Sequence, residues 1–134
     1  MLEYSIKAKR LDDTGSEAAA DGACIILDTG MAGRPDAFNP AELLLASLAA
    51  CMIKGAERVT PMIKFDLRGL EVSLQGKRQD SPPKMLAIDY ELVVDTSETD
   101  ERIELLHKNI RKYGTISNTL DAALTLSGTI KRKS

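Results

Sequence analysis

The stretch NPAELLLASLAAC, residues 39–51, decides the fold. Asn39 is a good N-cap, and Pro40 suits the first helical position because its missing N–H has no intrahelical partner there. Glu42 reaches back to close a capping box. From Leu43 to Ile53 only Ser47 is polar besides the thiol of Cys51, so the helix is apolar on nearly every side. Such a helix is to be surrounded by protein. Lys54, Glu57 and Arg58 end the run too early for a bilayer span, and Ala46, Ser47, Ala49 and Ala50 let other backbone come close. A thiol inside this helix either packs as a small core residue or reacts, and the function turns on which.

The flanking sequence reads outward from that helix as a mixed α/β pattern without linkers or repeats. Tyr4, Ile6 and Ala8 alternate with charged neighbours as in a half-buried strand; a loop over 12–22 leads to a second strand around 23–27. Residues 30–38, with Gly33 and Pro35, form an irregular loop that delivers the chain to Asn39. Downstream, Leu70, Val72 and Leu74 alternate, a turn at 80–83 reverses the chain, and Leu86, Ile88, Tyr90, Leu92 and Val94 alternate again. This is a hairpin with one buried face. A second, amphipathic helix begins near an N-cap at Ser97 and buries Ile103, Leu106, Ile110 and Tyr113. Its acidic start and basic end suit the helix dipole, and Gly114 stops it. Leu124, Leu126 and Ile130 alternate as a closing strand.

These elements predict one α+β domain over residues 1–134, large enough to bury a core. A net charge of −2, with Lys131, Arg132 and Lys133 as the only basic cluster, argues against a nucleic-acid partner. The opening MLEYSIKAKR lacks the apolar core of a signal peptide, which predicts a cytoplasmic protein with no membrane partner. In that compartment Cys24 and Cys51 are thiols, not a disulfide framework. One amphipathic helix and a few strands are too little to surround the 39–58 helix. A homodimer packing two such helices into a shared core is therefore expected.

NPAELLLASLAAC, followed some sixty residues later by KYGTISNTL (112–120), resembles the OsmC and organic hydroperoxide resistance family. The resemblance covers essentially the whole chain, since the order of strand, helix, hairpin, helix and strand is also similar. It implies antiparallel sheets wrapped around a central buried helix, and intertwined homodimers with active sites at the subunit interface. Many members are thiol peroxidases in which one thiolate attacks the peroxide and a second thiol resolves the sulfenic acid as a disulfide. Cys51 falls on the attacking cysteine. Gly114 falls where the second cysteine opens the later motif, and Ala41 falls on the carboxylate that orients a catalytic arginine; Glu42 is its neighbour. Arg34, before the helix, and Arg10, at the end of the first strand, are the two candidates for that arginine. Tyr113 and Ser117 flank Gly114 and are candidates to line a ligand pocket.

Only a thiolate attacks peroxide efficiently, and an unperturbed thiol is mostly protonated at neutral pH. Cys51 lies in the later half of its helix, where the dipole does not favour an anion, so a cation must supply the stabilisation. With no internal second thiol, a sulfenic acid needs an external thiol reductant. Cys24 as resolving thiol is the lesser alternative to a small strand residue. His107, the only histidine, has no Cys/His spacing around it, so neither a metal site nor a cofactor is expected. Two functions follow. One is a single-cysteine peroxidase of the oxidative-stress response using Cys51, with Arg34 or Arg10 and Glu42 in support. The other is a non-peroxidase protein that holds an apolar or thiol-bearing small molecule near Cys51 in the interface cleft.

Overall fold

The structure, a computed structural model, describes residues 1–134 and divides into two compact units, Met1–Leu44 and Leu45–Ser134. The division falls inside the long helix that the 39–51 stretch begins.

The first unit is a three-stranded antiparallel meander of β1 (Lys7–Arg10), β2 (Gly15–Ala20) and β3 (Ala23–Asp28), in the order β1-β2-β3. The loop expected over 12–22 is therefore mostly strand. GSEAAA carries no apolar alternation and little strand propensity, so its conformation comes from pairing with a neighbour on each side. Two tight turns set that pairing. Asp12 Oδ1 accepts hydrogen bonds from Thr14 N, Thr14 Oγ1 and Gly15 N. Asp21 and Gly22, at φ 43° and 90°, form a two-residue hairpin turn of the Asp-Gly kind. The irregular loop expected over 30–38 is present. Asp28 N donates to Phe38 O at its far end, so the loop closes on itself before the helix starts.

The second unit contains most of α1 (Pro40–Ile63), then β4 (Gly69–Gln79), β5 (Lys84–Asp95), α2 (Asp100–Tyr113), α3 (Thr115–Asp121) and β6 (Thr125–Arg132). Its core joins Leu48, Met52, Ala56 and Val59 of α1 to Ile88, Tyr90, Leu92 and Val94 of β5, with Ile103, Leu106 and Ile110 of α2 completing it. The spacing on each element is that of one helix face or one sheet face. The hairpin β4–β5 is antiparallel as expected, but β6 pairs with β5 in parallel. This corrects the expectation of wholly antiparallel sheets. Two helices intervene between β5 and β6, and a crossover through helix returns the chain to the same end of the sheet.

Three local expectations also change. Thr99, not Ser97, caps α2, accepting from Arg102 N through its side chain, while Ser97 Oγ accepts from Arg68. Tyr113, placed on the buried stripe, is exposed. The segment after Gly114 is a further short helix, whose polar sequence gave no apolar period to read. On α1 the fully buried residues form one stripe, whereas Ala50 and Ile53 lie open to solvent and Leu43, Leu44 and Leu45 are half-buried. No helix is long and apolar enough to cross a membrane.

Candidate active site around Cys51

Cys51 and Gly55 stand one turn apart on α1, so they share a face. Gly55 is buried against Ile110, whose Cγ2 and carbonyl would lie 3.8 Å from a Cβ at position 55. Because Ile110 and Gly114 are likewise four residues apart, the same close crossing that seats Gly55 on Ile110 brings Cys51 to the end of α2. A Cβ on residue 114 would lie 3.2 Å from Cys51 Sγ and 3.1 Å from Ile110 O, and would overlap Ser117 Oγ. Glycine is needed here for space. Its φ of −82° and ψ of 116° are open to any residue, which corrects the reading of Gly114 as a glycine chosen for helix termination.

Gly114 ends α2 and precedes α3, whose first turn turns its backbone toward the thiol: Ile116 N donates to Cys51 Sγ at 3.4 Å. Ser117 is buried, and its hydroxyl donates to Gly114 O at 3.1 Å. The structure thus gathers Cys51, Gly114, Ile116 and Ser117. Tyr113 is exposed, with Lys112 Nζ 5.2 Å from its ring centre. Ile116 was missed because the group that matters is a backbone amide, which no side-chain pattern announces. Both cysteines are free; Cys24 is exposed on β3 and Cys51 is partly buried.

The remaining candidates lie in the first unit. Asn39 N donates to Glu42 Oε1 at 3.0 Å, and Glu42 N donates to Asn39 Oδ1 at 2.8 Å; this is the capping box read from the sequence. Arg34 is held by Asp36 in a two-pronged ion pair, Nε to Oδ1 at 2.6 Å and Nη2 to Oδ2 at 2.9 Å. The hydrogen bond to Asp36 raises the Arg34 pKa further and lowers that of Asp36. Asp36 is therefore a carboxylate partner for this arginine, and the Arg34-Pro35-Asp36 spacing was its available signal in the sequence. Arg34 and Glu42 both line a cavity of about 520 Å³ together with Ile25, Ile26 and Phe38. Asp28 accepts from Arg34 N through one oxygen, while its other oxygen is buried without a partner. Arg10 is exposed at the end of β1 and makes no ion pair.

A sequence model of the OsmC-like protein family matches residues 33–127, a span that runs from the loop before α1 to β6. The chain belongs to the OsmC-like family. Among its relatives, a hydroperoxide reductase of Mycoplasma genitalium is 25% identical over 136 residues, covering 96% of each chain. The fold of this OsmC-like chain is shared with the crystal structure of an OsmC like protein from Mycoplasma pneumoniae, at TM-score 0.88 and 22% identity over 99% of both chains. It is shared also with an organic hydroperoxide resistance protein OsmC from Legionella pneumophila, at TM-score 0.73 and 20% identity over 98% of both.

Proposed function

We propose that this OsmC-like protein is a cytoplasmic homodimer that reduces organic hydroperoxides in the oxidative-stress response, with Cys51 as its only reacting thiol. The observation that carries this reading is the setting of Cys51: a partly buried sulfur with a backbone N–H aimed at it, opposite the one position where the family's second thiol would stand. In this reading Arg34, held in orientation by Asp36, is the catalytic arginine that the resemblance calls for, and Asp36 takes the part of the carboxylate missing at Ala41. Glu42 secures the start of α1, and Ser117 holds the Gly114 carbonyl.

The Cys51 thiolate attacks one peroxide oxygen. An S–O bond forms as the O–O bond breaks, and the departing alkoxide takes up a proton to leave as an alcohol. The resulting sulfenic acid has no thiol at position 114 to condense with. One molecule of an external thiol condenses with it, releasing water and leaving a mixed disulfide; a second displaces Cys51 and departs as the oxidised disulfide. Two thiols are thus oxidised for each hydroperoxide reduced.

The test is turnover of an organic hydroperoxide with several thiol reductants, using wild type, Cys51→Ser and Arg34→Gln. Wild-type turnover is expected to vanish in Cys51→Ser and to fall at least about tenfold in Arg34→Gln, as for loss of a charge-assisted interaction. Turnover that survives Cys51→Ser contradicts the reading. An inert wild type leaves the binding function, which the single hydrogen bond at Cys51 Sγ also permits.

A further inference from the structure

Besides the contacts at Cys51, four side chains of β5, α2 and α3 form a chain of hydrogen bonds that the proposed chemistry does not use. Tyr90 of β5 is buried, and its ring occupies the space that a side chain on Gly128 of β6 would fill. Its hydroxyl lies 2.7 Å from His107 Nε2 and 3.0 Å from Arg111 Nη1. Arg111 also donates through Nη2 to Asp121 Oδ1, at the end of α3, at 3.1 Å. Tyr90, His107 and Arg111 border a cavity of about 350 Å³ between α2 and β6.

The direction of each bond follows from what the groups can donate. A guanidinium has only donors, so the Tyr90 oxygen accepts from Arg111. The single phenolic proton then goes to His107 Nε2, which must be unprotonated to accept it. With His107 neutral, one continuous relay runs from Arg111 through Tyr90 to His107. A proton on Nε2 reverses the last bond, leaves the phenolic proton without this acceptor and sets an imidazolium across one oxygen from Arg111. Arg111 is the tie between α2 and the far end of α3, and the near end of α3 carries the Ile116 N–H that meets Cys51 Sγ. Asn118, donating to Lys112 O, is the second tie and does not involve the relay.

We propose that Arg111 is a positioning residue for the Cys51 site and that protonation of His107 loosens it, so that the donor on α3 is held more firmly against the sulfur while His107 is neutral. The inference rests on the reading of Cys51 as the reacting group. Burial favours the neutral imidazole and Arg111 acts in the same sense, whereas Glu104 on the same helix opposes them. Lys108 adds positive charge from α2. Asp121 on α3 is engaged by Arg111, and Asp89 on β5 accepts from Ser127 of β6 at 2.5 Å. No carboxylate pairs with the ring itself. A proton on His107 is therefore added in a partly buried place, with Glu104 favouring it and Arg111 against it.

The test is alkylation of Cys51 by iodoacetamide between about pH 5 and pH 8, followed on the Cys51 peptide by mass spectrometry. It compares wild type with His107→Gln, whose side-chain oxygen accepts from Tyr90 without titrating, and with Tyr90→Phe, which breaks the relay. In wild type the rate is expected to fall with a second, steeper break below about pH 6.5, where a histidine takes up its proton. His107→Gln is expected to lose the break and to react about threefold faster than wild type at the acid end, an effect the size of one modest hydrogen bond. The two are expected to agree at the alkaline end. Tyr90→Phe is expected to lose the break as well and carries the test if His107→Gln does not fold. A wild-type profile without the break, or the same break in a folded variant, overturns the coupling. The assay uses no peroxide, so failure of hydroperoxide turnover sinks the proposed reaction and leaves this profile readable.

Discussion

At the scale of single residues, Cys51 and Gly114 explain each other. The sulfur stands 3.2 Å from where a Cβ on residue 114 would be, close to the separation of about 3 Å that disulfide geometry sets between one Cβ and its partner's sulfur. Gly114→Cys, combined with Ser117→Ala to clear the hydroxyl from its path, is therefore expected to form a disulfide between Cys51 and the introduced thiol on mild oxidation, detected by peptide mapping. Persistence of both as free thiols under oxidant would show that the two positions are not adjacent. Gly114→Ala alone is expected to cost about 1–3 kcal/mol in urea denaturation, because the methyl group must displace Ser117 or Ile110. The adjacency of residues 51 and 114 was legible in the sequence only through the family resemblance, since nothing in either residue type points to the other. The Arg34–Asp36 pair went unread although its spacing was a signal, whereas the amide of Ile116 gave none.

At the scale of elements, caps and periodicity were readable where one residue type decides the structure. The Asn39–Glu42 box and the alternation of β5 are of that kind. Elements fixed by neighbours were not. β2 is a strand because β1 and β3 flank it, and the parallel entry of β6 depends on a crossover whose second helix has no apolar stripe. The cap of α2 was misplaced by two residues because Ser97 and Thr99 are equally good capping types. Thr99→Ala is accordingly expected to lose about 1 kcal/mol of stability by chemical denaturation, and Ser97→Ala less than about 0.5 kcal/mol. His107 gives the second unit a pH dependence with a definite sign. Burial lowers its pKa in the folded chain, so the unfolded chain binds the proton more readily. Stability is then complete above the ordinary histidine value near 6.5 and is lost as pH falls from there through the lower folded value. The denaturation midpoint of wild type is expected to drop over that window more than that of His107→Gln; equal drops would mean that His107 is not the group responsible.

At the scale of the whole molecule, the chain leaves apolar surface that its own elements do not cover. Leu2, Tyr4 and Ile6, at 80%, 84% and 71% exposure, alternate on the segment leading into β1, and Ile53 and Met62 stand open on α1. A second copy of the chain, expected from the apolar run of 39–51, is the proposed cover. Light scattering at micromolar concentration is expected to give twice the 14.6 kDa chain mass, and Tyr4→Asp to shift the population toward the single chain. A monomer at that concentration would remove the dimer from the account. The central claim, that Cys51 is a working thiol in an OsmC-like protein without an internal partner, has a more direct test. Wild-type protein is treated with one equivalent of an organic hydroperoxide, without reductant, and the Cys51 peptide is examined after trapping with dimedone. A dimedone adduct at Cys51, absent when an external thiol is added before the trap, is the predicted result; an unmodified Cys51 after peroxide would contradict it.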